Sequence, residues 1–94
     1  MATTEVRAMA ERPRQTHPGA LADMVQRRLR EYDTDPLRTH ADAAADSGIA
    51  VRTLYRYARG GGTPDHHNAR LLITWLNIEE QTLREAIERQ RRGG

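Results

Sequence analysis

Cysteine, lysine and phenylalanine are missing altogether from this 94-residue chain. Without cysteine there is neither a disulfide framework nor a thiolate metal site, which fits a reducing compartment. Aromatic residues are scarce, one Trp and three Tyr, and they are scattered, so no platform for stacking single-stranded bases is visible. No apolar run approaches the roughly 20 residues that cross a bilayer. The N-terminal stretch also lacks the apolar segment of a secretory signal. The expectation is a cytoplasmic protein with no membrane partner. Hydrophobic residues make up only 37% of a chain already short for a domain, so the core is small and stability marginal.

With lysine absent, all 15 basic residues are Arg, set against 13 acids. Arg offers a planar fork that meets phosphate or a guanine edge with two parallel hydrogen bonds, which an ammonium does not. The charge is unevenly spread. From Gly19 to Ala50 there are four Arg and six acids, a balance of −2; from Val51 to Ile78 there are four Arg and one acid, a balance of +3.

Residues 1–17 mix Thr, Arg, Glu, Ala and Pro with no apolar period. They are expected to form a disordered tail, read first as an idle solvated leader and second as an arm in which Arg7, Arg12 and Arg14 touch a nucleic acid. A single domain is expected over 18–92. Pro18 suits the first turn of a helix, and Leu21, Met24, Val25, Leu29 and Tyr32 recur at helical spacing before the turn-prone Asp33-Thr34-Asp35-Pro36. Thr39, with Asp42 three residues on, signals a helix start of the capping-box kind. Small Ala41, Ala43, Ala44 and Ala45 then allow close approach to neighbouring helices. Gly48 turns the chain through positive φ, and Ile49 plugs the space between two helices.

The next helix, about Val51 to Arg59, carries Arg52, Tyr55, Arg56 and Arg59 on one face and Leu54, Tyr57 and Ala58 on another. A helix with one packing side and one Arg-rich side is shaped to hold something anionic. Gly60-Gly61-Gly62 reads as a helix end plus flexible linker, since no Gly-Lys-Ser/Thr follows and no strand precedes it. Thr63-Pro64-Asp65 starts a fourth helix with Leu71, Leu72, Trp75 and Leu76 on its apolar face. Asn77 ends it in the left-handed conformation and Ile78 packs back. A final helix runs from Glu79-Glu80 to Arg92, with Leu83, Ala86 and Ile87 as its packing stripe. It also carries three i,i+4 pairs, Glu80–Arg84, Glu85–Arg89 and Glu88–Arg92. The fold class expected is all-α with five helices.

Thr39–Gly60 resembles the helix-turn-helix of the Cro and phage-repressor superfamily. Ala44, Gly48 and Leu54 stand in the register of that family's small residue, turn glycine and following aliphatic residue. More loosely, Trp75-Leu76-Asn77-Ile78 and Leu83 are similar to a pattern that follows the motif. The sequence departs from the family at Ala50, where a capping Ser or Thr is usual, and at Ala43 and Ser47, where larger apolar residues are common. The resemblance implies a compact lambda repressor-like domain that binds double-stranded DNA, with the second motif helix in the major groove. It implies base contacts from Val51, Arg52, Thr53, Tyr55 and Arg56, and phosphate contacts from Arg38, Thr39, His40 and Arg59.

The function expected is therefore a sequence-specific transcriptional regulator, a phage- or prophage-type repressor acting on the bacterial nucleoid. Family members often pair on palindromic sites, so a homodimer is a further expectation. The alternatives are a protein-interaction module such as an antitoxin, and an architectural or recombination accessory DNA binder. Nothing points to an enzyme, a cofactor, a metal site or a small-molecule ligand. Adjacent His66 and His67 diverge by about 100° on a helix, and Asp33 and Asp35 lie in a turn with no nucleophile beside them.

Overall fold

The apolar spacing of the first helical stretch is realised in α1 (Leu21–Asp33), which buries Leu21, Ala22, Val25, Leu29 and Tyr32 along one face. The structure is a computed structural model that describes residues 19–93. Pro18 and the expected arm of Arg7, Arg12 and Arg14 lie outside the described residues. Four more helices follow: α2 (His40–Ser47), α3 (Val51–Ala58), α4 (His66–Leu76) and α5 (Glu80–Gly93). Among the described residues the fold is all-α, with no strand. None of these helices is long and apolar enough to cross a membrane.

Local chemistry explains most of the boundaries. At the start of α2 the Asp42 N–H donates to the Thr39 hydroxyl and the Asp42 carboxylate accepts from the Thr39 N–H at 2.7 Å, a reciprocal capping box. Gly48 takes φ 78° and its N–H returns to the Ala44 carbonyl. Asp65 caps α4 through the Asn68 N–H at 2.8 Å, and Asn77 ends it at φ 56°. The Ile78 N–H then bonds back to the Ile73 carbonyl at 3.1 Å, so the chain folds over its own helix end as Ile78 packs on the core.

The core gathers every helix. Leu54 and Tyr57 of α3, Leu72 and Trp75 of α4, and Leu83 and Ala86 of α5 close against the buried face of α1. Ala43 is fully buried in α2, and Ile49 sits in the turn beyond it. The alanines of α2 divide more sharply than expected: Ala43 is buried, Ala44 is half-buried, and Ala41 and Ala45 face solvent. A helix of two turns presents only one or two positions to its neighbours, so the outer alanines supply helix propensity rather than close approach. Of the three expected ion pairs along α5, Glu80–Arg84 closes. The hydrogen bond and charge of Arg84 hold the Glu80 carboxyl below its ordinary value against an opposing contribution from desolvation, with Arg70 and His66 adding lesser favourable ones.

Polar side chains tie the helices where apolar surface is short. Buried Trp75 Nε1 donates to the Tyr32 hydroxyl at 3.1 Å, and Tyr32 in turn donates to Asp46 at 2.8 Å. Arg28 donates to the Trp75 carbonyl at 3.0 Å while lying over the Tyr32 and Trp75 rings. Gln26 donates to the Ala58 carbonyl at the end of α3, and Gln90 accepts from the Ala22 N–H at the start of α1. These two glutamines cap helix ends from outside, α1 having no side-chain cap of its own.

Candidate nucleic-acid interface

The first helix of the α2–turn–α3 unit ends on a buried serine. Ser47 is 4% exposed. Its Oγ accepts the Ile49 N–H at 3.1 Å and reaches back to the Ala44 carbonyl at 3.3 Å. The hydroxyl thus satisfies a buried N–H that the turn would otherwise strand. Leu71 methyls lie 3.6 Å from where a Cβ on Gly48 would stand. The turn is pinned by its own backbone and by α4, which fixes where α3 starts.

On α3 the two faces separate as the spacing predicts. Leu54, Tyr57 and Ala58 are buried, whereas Arg52, Tyr55, Arg56 and the C-capping residue Arg59 are exposed. Val51 and Thr53 are half-buried. The helix N-cap is Ala50, with no side-chain hydrogen bond, so the first N–H groups of α3 have no side-chain cap. Its other end closes on Gly60 at φ 76°, with the Gly60 N–H bonded to the Tyr57 carbonyl and the Gly61 N–H bonded to the Arg56 carbonyl at 2.8 Å. Gly61 is more than a linker residue. A Cβ on Gly61 would stand 3.0 Å from Arg56 Cγ and 3.2 Å from the Arg56 carbonyl oxygen, and one on Gly62 would lie 3.6 Å from Arg56 Nε. The bare backbone at Gly61 therefore leaves room for Arg56, whose guanidinium reaches over the Tyr57 ring, whereas the Gly62 distance is ordinary van der Waals contact.

The arginines of the molecule sort by partner. Arg27, Arg28, Arg38, Arg70 and Arg84 each have a carboxylate within ion-pair reach. Among the described residues, Arg52, Arg56 and Arg59 have none; Arg30 on α1 and Arg89, Arg91 and Arg92 on α5 also have none, but only α3 sets three such arginines around one face. The four positive charges and single acid between Val51 and Ile78 are thus arranged with three arginines on one exposed side of α3.

The expected phosphate-facing residues ahead of α3 are already engaged within the fold. Arg38 pairs with Asp46 and lies over the Tyr32 ring, its side chain 44% exposed. Thr39 is occupied by its capping box. His40 is half-buried, its Nδ1 2.6 Å from the Tyr55 hydroxyl and its Nε2 2.8 Å from an Asp33 carboxylate oxygen. That second contact lies off the direction a ring N–H requires, and Nε2 has no hydrogen-bond partner. It is an electrostatic approach rather than a hydrogen bond. His40 thereby joins the end of α1 to the exposed face of α3.

Asp33 and Asp35 also have separate tasks in the turn. Asp33 faces His40, whereas Asp35 accepts the Leu37 N–H at 2.9 Å and shapes the chain before α2. The composition of Asp33-Thr34-Asp35-Pro36 marks a turn but carries no signal for the His40 contact, which depends on how α1 meets α2. The same holds for Asp46, whose bonds to Tyr32 and Arg38 are made across 14 and eight residues of sequence. Among the described residues, no three His, Asp or Glu side chains converge as a metal ion would require. No protein-family model, curated protein or solved structure matches the chain.

Proposed function

We propose that the protein is a sequence-specific regulator of the helix-turn-helix kind that lays α3 in the major groove of double-stranded DNA. One observation carries this reading. Arg52, Arg56 and Arg59 are exposed and, among the described residues, without carboxylate partners, on a helix held in place by a buried opposite face. Retaining three such charges together raises self-repulsion, which an anionic partner relieves. Arg52 and Arg56 suit guanine O6 and N7, Val51 suits a thymine methyl, and Thr53 suits either kind of base edge. Arg59 and the uncapped N–H groups at the start of α3 suit phosphates. Arg38, Thr39 and His40 lie outside this group as direct ligands, since each is occupied within the fold; their contribution is to set the start of α2.

Occupation of an operator would make the protein a repressor of the phage or prophage type, working on the nucleoid in the bacterial cytoplasm. A homodimer on a palindromic site belongs to the same proposal. Selection from a pool of random duplexes at two salt concentrations tests it. A salt-sensitive, enriched motif is expected, because neutralised phosphates release counterions. Its symmetry would report one or two protein copies. Salt-sensitive binding with no motif would replace this reading with an architectural binder, and absence of binding at both salts would replace it with a protein-interaction module.

A further inference from the structure

The exposed face of α3 carries one uncharged polar ring among its arginines. Tyr55 is 38% exposed, and its hydroxyl lies 2.6 Å from His40 Nδ1. The two rings meet edge to face, with centroids 5.5 Å apart and planes at 67°. On the far side of the imidazole, the Asp33 carboxylate oxygen stands 2.8 Å from Nε2. A phenol ordinarily offers one proton and accepting lone pairs, so it can face either a donor or an acceptor on a base edge. What it offers here depends on which imidazole nitrogen carries the proton. An ionised carboxylate only accepts, and its charge favours the proton on the nearer nitrogen, Nε2, even with imperfect alignment. In the neutral ring Nδ1 is then left with a lone pair, and the short contact to Tyr55 is an O–H donated by the phenol.

We propose that His40 and Asp33 act as positioning residues that commit the Tyr55 proton inward, so that Tyr55 presents only acceptor lone pairs to DNA and selects an exocyclic amine, cytosine N4 or adenine N6. This rests on the DNA-binding reading of α3 and narrows it. In the major groove those amines are the donors, whereas guanine O6 and N7 and thymine O4 are acceptors. The neighbouring arginines are donors only. The face therefore pairs two complementary chemistries: Arg52 and Arg56 seek acceptors, and Tyr55 seeks an amine. It also gives His40 a role other than phosphate contact. Its ring is turned between two protein groups, and its half-buried position at the first residue of α2 holds it there.

Two measurements test the proposal on the full chain. The first needs no DNA: nitrogen-15 NMR of the histidine rings in the free protein reports which nitrogen of His40 carries the proton. Protonated Nε2 with bare Nδ1 is expected, and Asp33→Asn should weaken that preference. A proton on Nδ1 in the neutral ring would overturn the proposal. The second is duplex selection with wild type, His40→Ala, His40→Asn and Tyr55→Phe. Wild type should favour cytosine or adenine at one position by about five- to tenfold, the worth of one net hydrogen bond. Tyr55→Phe and His40→Ala should lose that preference while other positions of the motif stay fixed. His40→Asn, which places an amide oxygen near the site of Nδ1, should restore it. A motif unchanged by both Tyr55→Phe and His40→Ala would overturn the amine assignment and leave the DNA-binding reading intact. If wild type enriched no motif at all, the DNA-binding reading and the amine assignment would fail together, and the ring NMR would still decide the direction of the proton.

Discussion

Arg38 and Arg52 are the same residue type on neighbouring parts of one small fold, and they are used in opposite ways. Around Tyr32, Arg28 and Arg38 are drawn into the structure. Arg38 lies over the Tyr32 ring and pairs with Asp46, while Arg28 reaches the Trp75 carbonyl and lies over the Tyr32 and Trp75 rings. Along α3, Arg52, Arg56 and Arg59 are exposed and, among the described residues, have no carboxylate beside them; only Arg56 rests on a ring, that of Tyr57. The first group extends an apolar core made thin by the absence of Phe, using guanidinium stems and faces as packing surface. The second group contributes little to folding and is available to a partner. Residue type alone does not distinguish the two groups; the presence or absence of a carboxylate brought up by another helix does.

The comparison can be broken most decisively beneath α3. Leu54 is fully buried, and Leu54→Ala should destabilise the domain by about 2–5 kcal/mol, by lost burial and an unfilled cavity. Urea unfolding measures this. In a domain of this size such a loss could unfold the chain, in which case DNA binding disappears with the fold. Next in size is the exposed side of the same helix. Arg52→Ala should leave the unfolding midpoint almost unchanged and weaken binding to the selected duplex by about 1–3 kcal/mol, with preference relaxed at one position. A large stability loss instead would mean that Arg52 belongs with the structural arginines.

On the other side of the comparison, Tyr32→Phe removes the hydroxyl that accepts from Trp75 Nε1 and donates to Asp46. It should cost about 1–3 kcal/mol of stability, because a buried indole N–H loses its acceptor, and leave the DNA motif alone. Circular dichroism melts beside a binding titration separate the two outcomes. The smallest effect is expected at exposed Glu80. Arg84 holds its carboxyl below the ordinary value of 4.5. A carboxyl depressed in the folded state adds stability above its unfolded value and loses it as pH falls through the folded one. The small stability difference between wild type and Glu80→Gln should therefore be present at neutral pH and fade below about pH 4.5. A difference that grows on acidification would contradict the assignment.

Local signals carried much of the fold in the sequence. The Thr39–Asp42 capping box, the left-handed Gly48 and Asn77, and the buried Leu54-Tyr57-Ala58 side of α3 each depend on residues close in sequence, so spacing and side-chain chemistry suffice to find them. The bonds that hold the helices to one another were not legible. Trp75 to Tyr32, Gln90 to Ala22 and Gln26 to Ala58 join residues 43, 68 and 32 positions apart, and no periodicity marks them. Ser47 looked like a packing deficit and is instead the group that satisfies the turn.

The candidate site divides along the same line. Helical spacing placed Arg52, Tyr55, Arg56 and Arg59 together, because that arrangement is local to α3. That Arg38 is bound to Asp46, that His40 is turned toward Tyr55, and that Gly61 leaves room for Arg56 all follow from how separate segments meet. Arg38 and His40 differ from the α3 arginines only in those meetings.

The most direct test of the proposed role of α3 passes two proteins through the same selection from random duplexes: wild type and a variant with Arg52, Arg56 and Arg59 all changed to Ala. Wild type should enrich a motif. The triple variant should enrich none while keeping its helical content and unfolding midpoint. The same motif from both proteins, or no motif from wild type, would contradict the account.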